Sequence, residues 1–100
     1  MRNAPTPASQ PEQAELPAMI STLCYYEGSL GPYHPHTLCL LILVGQEYWL
    51  AGLPEYGRPL LERAVRDAGQ CLARDHELRL RAIAALRDLT EQPGGRAVLQ

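Results

Sequence analysis

An all-α fold of antiparallel helix hairpins, about four helices in all, is what this sequence predicts. The stretch Leu30-Gly31-Pro32-Tyr33-His34-Pro35-His36-Thr37-Leu38 returns in degraded form 42 residues later as Leu72-Ala73-Arg74-Asp75-His76-Glu77-Leu78-Arg79-Leu80. Between the breaks apolar residues recur at spacings of three and four, and strand-like alternation is absent. Glycine and proline punctuate the chain at Gly28, Gly31-Pro32, Gly52, Pro54 and Pro93-Gly94-Gly95. Paired helices at a fixed period cannot bury their apolar faces alone, so they stack, and the stacked surface serves binding more than bond-breaking chemistry.

The first helix is expected over 12–27, stopping at Gly28, because Gly31-Pro32 bars its continuation. Its stripe is weak. The second opens near Pro35, where proline gives up an amide that has no intrahelical partner anyway, and runs to Ala51 before Gly52. Leu41, Val44, Gly45 and Tyr48 share one face, and the small residue among large ones lets a neighbouring helix approach. The third opens at Pro54-Glu55 and ends near Gly69. Its stripe of Gly57, Leu60, Leu61, Ala64, Val65 and Ala68 lies opposite Glu62, Arg63, Arg66 and Asp67. Pro59 deletes one hydrogen bond within it and tends to kink the axis. The fourth starts after Asp75 as N-cap and runs to Gln92, with Leu80, Ile83, Leu86 and Leu89 or Thr90 on one face. The organisation is thus a disordered lead-in over 1–11, rich in Pro, Ala and Gln, a helical repeat domain over 12–92 and a tail over 93–100.

Composition bounds the function. One hundred residues with 46% hydrophobic content suit one domain or a few stacked repeats. A net charge of −2 and a pI near 5.9 supply no broad field for nucleic acid or anionic lipid. All nine basic residues are Arg, which reads first as genomic codon bias. Cys24, Cys39 and Cys71 show no metal-like spacing and leave one thiol over in any disulfide scheme, which fits a reducing, cytoplasmic compartment. No secretory signal is legible at the start. The longest apolar run, Leu38 to Val44, is cut by Gly45-Gln46-Glu47 well short of the roughly 20 residues a bilayer span needs.

The junction Leu30 to Leu38 is similar to the Leu-Gly-Pro-Asp-His-Pro-Asp-Thr-Leu junction of tetratricopeptide repeats, in the long 42-residue variant seen in kinesin light chains and many bacterial repeat proteins. Leu41, Val44, Gly45, Tyr48, Gly52, Gly57, Leu61 and Ala64 fall at that family's large and small packing positions, and Pro59-Leu60 matches its Pro-Leu pair. Shifted by the period, Pro17, Met19 and Leu23 match Pro59, Leu61 and Val65, while Ile83, Leu86 and Gly94 match Leu41, Val44 and Gly52. The chain reads as half repeat, whole repeat, half repeat. The resemblance implies a non-enzymatic scaffold that binds a protein or peptide, with a concave groove lined by Cys39, Ile42, Gln46 and Trp49 of the second helix and Arg81, Ala84 and Asp88 of the fourth. The alternative is a structural or assembly segment that self-associates as a homo-oligomer or packs on a neighbouring domain. Departures from the pattern are informative. Tyr33 and His36 replace acidic residues at the helix start, losing about 0.3–1 kcal/mol each of favourable charge beside the helix dipole, so a poorer cap is expected. Gly57 replaces a usual Ala at about 0.8–1.0 kcal/mol of helix propensity. The Lys and Asn set that clamps a peptide carboxylate in some members is missing, and that activity is not implied.

Other chemistries fare worse. His34, His36 and Cys39 are zinc-ligand types, but a structural site wants four ligands, and His34 has a counterpart at His76 that marks it as a junction residue. Arg74, Arg79, Arg81 and Arg87 are interleaved with Asp75, Glu77, Asp88 and Glu91, the pattern of a solvated face and not of a nucleic-acid surface. Ser21, Ser29 and the cysteines have no legible His-acid partners for nucleophilic catalysis. No catalytic residue, metal or cofactor is expected. Tyr48 is assigned to packing, and Trp49, turned about 100° from it, to the groove as a binding anchor.

Overall fold

The computed structural model describes residues 11–92. The tail 93–100 and all of the expected lead-in except Pro11 lie outside the described residues. Four helices follow in order, α1 (Pro11–Ser29), α2 (Pro35–Leu50), α3 (Pro54–Cys71) and α4 (Glu77–Glu91), and there is no strand among the described residues. None of these helices is long and apolar enough to cross a membrane.

The helix boundaries follow from local chemistry. α2 and α4 begin the same way. His34 (φ −70°, ψ 140°) and His76 (φ −64°, ψ 138°) are extended N-caps whose Nδ1 atoms accept from the backbone N–H of His36 and Leu78, each at 3.1 Å. Asp75, expected as the cap of α4, sits one residue outside it. The junction expected to be poorly capped therefore has an imidazole acceptor where Ser or Asp is usual. α2 ends in a left-handed Gly52 (φ +84°), with Leu53 N–H donating to the Tyr48 carbonyl at 2.9 Å and Gly52 N–H to that of Trp49 at 3.0 Å. Only glycine takes this conformation cheaply, and the paired bonds satisfy two carbonyls that the helix leaves open. α1 does not stop at Gly28, which is helical. The reversal comes at Gly31, whose φ is +92°. Pro17 and Pro59, one period apart, both lie within helices.

α2 is the hub, packing against α1, α3 and α4. It crosses α3 through the expected residues. Leu41 and Val44 from α2, and Leu61 and Ala64 from α3, are wholly or almost wholly buried. The register is antiparallel, since Gly45 faces Leu61 and Gly57 while Tyr48 faces Gly57 and stacks on Tyr56 with ring centroids 5.6 Å apart. A β-carbon on Gly45 would lie 2.7 Å from Leu61 Cδ2, so the crossing has no room for one. α1 adds Leu23 to the core, with Leu16, Met19 and Ile20 half-buried beside it, and its C-terminal Glu27 forms an ion pair with Arg63 of α3.

Two faces differ from expectation. α4 buries Ala82, Ala85 and Leu89, whereas Leu80 and Ile83 are 51% and 42% exposed. The first part of the apolar stripe read from the sequence, Leu80 and Ile83, turns away from the core, where α4 instead sets the small Ala82 and Ala85 against Ile42 and Leu61, while Leu86 packs half-buried against the core and Leu89 is wholly buried as expected. Asp67, expected on the outer face of α3, is buried, with its carboxylate accepting from Arg63 Nε at 3.5 Å and Arg66 Nε at 3.3 Å.

Candidate functional site

The expected groove lies along the seam between α2 and α4, and the structure brings its members together unevenly. Arg81 Nη1 stands 3.9 Å from the Cys39 sulfur, and the two residues are 42 positions apart. Trp49 is half-buried, and its Nε1–H donates to the Gln92 carbonyl at 2.6 Å, tying the end of α2 to the end of α4. Gln46 and Ala84 are half-buried, and Asp88 is exposed. Ile42 is wholly buried in the core and is not available to a ligand, which corrects its assignment to the groove. The cause is the width of the seam. With Ala82 and Ala85 on the facing side, α4 settles close enough to α2 to close over Ile42.

Open apolar space lies instead on the other flank of α2. Tyr26 from α1 and His36, Cys39, Leu40 and Leu43 from α2 line an open cavity of about 250 Å3. Cys39 alone belongs to both the expected groove and this cavity. Tyr26 lies against His36, with ring centroids 6.3 Å apart, and His36 lies against His34 at 4.9 Å. The thiols are free, and no group of three His, Cys, Asp or Glu among the described residues is arranged to hold a metal ion. The Nδ1 of His34 is already engaged as a cap.

No family model, curated protein or solved structure matches this chain.

The internal repeat relates this cavity to a second place in the fold. Its lining residues have counterparts one period on, at Ala68, Leu78, Arg81, Ala82 and Ala85. Ala68, Ala82 and Ala85 are buried, and the helix running beside them is α2, whose Ile42 shares one core cluster with Ala82 and Ala85 and whose Cys39 meets Arg81. The cavity is therefore the open counterpart of a position that a helix fills within the chain. Sequence reasoning missed Tyr26, His36, Leu40 and Leu43 as site residues. The signal that could have found them was the offset itself, applied to the alanines of α4.

Proposed function

We propose that this chain is a non-enzymatic, tetratricopeptide-like helical-repeat module that binds another protein by accepting a helical segment in the cavity between α1 and α2. The observation that carries this reading is the equivalence just described, in which the same set of positions, moved by one period, already has α2 lying along it. Helix-in-groove recognition reuses the packing of the fold, with the guest supplying apolar anchors at helical spacing. Leu40 and Leu43 offer the apolar floor, while Tyr26 and His36 provide the amphipathic rim. A cytoplasmic setting suits three free thiols.

Site-specific photo-crosslinking tests this. A benzophenone side chain at position 43 of the full chain is expected to capture a helical segment, identified by mass spectrometry of the crosslinked peptides. The same group at Glu62, exposed on α3, is expected to capture none. Equal labelling from both positions, or crosslinks only to extended segments, rejects the reading.

A further inference from the structure

The two terminal half-repeats are complementary to each other. In the intact hairpin, Leu41 is wholly buried in one core cluster with Leu61, and α3 meets α2 where Gly45 faces Gly57 and Leu61. One period on, α4 presents Ile83 in place of Leu41 and Arg87 in place of Gly45, and both are exposed. One period back, α1 presents Glu15, Met19 and Thr22 in place of the buried Gly57, Leu61 and Ala64. Glu15 and Thr22 are exposed and Met19 is half-buried. In this structure α4 thus has an open face shaped for an α3-like helix, and α1 has an open face shaped for an α2-like helix.

We propose that a second copy of this chain satisfies both faces, with α4 of one copy seating against α1 and α2 of the next in a head-to-tail stack. This rests on the reading of the cavity as a helix acceptor and names its occupant. Three correspondences select a second copy. The first is charge. The contact between Gly45 and Gly57 becomes Arg87 against Glu15 of the next copy, so the one position where bulk replaces glycine on both sides does so with opposite charges. The second is volume. Within the chain, Ile42 of α2 packs in a cluster with the alanines of α4. In the stack its counterpart, Ala84, meets Tyr26, Leu40 and Leu43, so large and small exchange sides and the filled volume is conserved. The third is apolar continuity. Ile83 and Met19 stand one period from Leu41 and Leu61, which are buried in one core cluster, and Leu80 extends the strip one period from the buried Leu38. A contact between two different faces does not close on itself unless the rotation makes a ring, so growth should continue past the dimer.

Sedimentation velocity of the full chain over a wide concentration range tests the proposal, with circular dichroism confirming that each variant stays helical. The average mass is expected to rise steadily with concentration beyond two copies. Arg87→Glu and Glu15→Arg should each shift the association to roughly tenfold higher concentration, since each places like charges together. The double variant, with both charges reversed, should recover it, and Ile83→Glu should abolish it. A monomer at every concentration overturns the proposal, as does growth that stops at a dimer or charge reversals that fail to compensate each other. If the chain is monomeric, crosslinking from position 43 to a helix of a different protein leaves the reading of the cavity standing, and absence of such crosslinks removes both.

Discussion

Gly45 and Gly57 meet backbone to backbone where α2 crosses α3, and a β-carbon built on Gly57 would lie 2.5 Å from the Gly45 carbonyl oxygen. The neighbours of that crossing, Leu61 and Ala64, are fully buried. Bulk here has nowhere to go. Gly45→Leu and Ala64→Leu should each destabilise the fold by about 1–3 kcal/mol through overpacking. Gly57→Ala should also lower the melting temperature, although on an open helix face the same change would raise stability by about 0.8–1.0 kcal/mol. Thermal denaturation followed by circular dichroism reads all three. An unchanged melting temperature in the two leucine variants would remove the close crossing from the account.

The paired histidine caps give a second expectation. His34→Ala and His76→Ala should each cost about 1 kcal/mol, the usual value of a lost side-chain cap, and Asn at either position should restore most of it. Asp75→Ala should cost less than His76→Ala, because the acceptor of α4 is the imidazole. Chemical denaturation of the five variants separates these cases, and a larger loss at Asp75 than at His76 would contradict the cap geometry.

Trp49 is the single tryptophan of the chain and reports on the docking of α4. Trp49→Phe removes the bond to the Gln92 carbonyl and should cost about 0.5–1.5 kcal/mol. Truncating the chain after residue 76 should shift the Trp49 emission to longer wavelength, as the indole loses its partner and gains water. Emission that ignores the truncation would place Trp49 away from α4.

Thr37 is wholly buried, and its hydroxyl oxygen has no hydrogen-bond partner among the described residues. A buried, unpaired hydroxyl costs about 1–3 kcal/mol. Thr37→Val, which keeps the branched shape, is therefore expected to leave stability unchanged or raise it, whereas Thr37→Ala should lower it by opening a void. Denaturant midpoints at matched slopes decide the matter, and a strongly destabilised valine variant would show that the hydroxyl is satisfied.

How legible all this was in the sequence depends on where the packing partner lies. Leu41, Val44, Gly45, Leu61 and Ala64 were readable because both sides of their crossing belong to one hairpin and alternate in size. The face of α4 is legible only toward its C-terminal end, where Leu89 is buried. Leu80 and Ile83 continue the same apolar stripe at helical spacing, but the partner they match by the repeat is not within the described residues, and the buried Ala82 and Ala85 are too small to mark a periodic pattern. General cap statistics favour Asp75 over His76, whereas the alignment of His76 with His34 points to the residue that caps α4. The helical position of Ile42 alone points to the groove. Its burial depends on how closely α4 approaches, and the alanines of α4 set that distance.

The hub position of α2 also fixes how the molecule bears a load. Leu23 is the one apolar side chain of α1 in the buried core among the described residues, and the Glu27–Arg63 pair pins its C-terminal end to α3. α4 is held at its far end through Trp49 and along its length by three buried side chains. α2 and α3 share the crossing with no spare volume. Tension drawn along the chain would peel α1 away first, then α4, and reach the central hairpin last, so the fold behaves as a short spring whose outer turns yield while its middle turn keeps its shape.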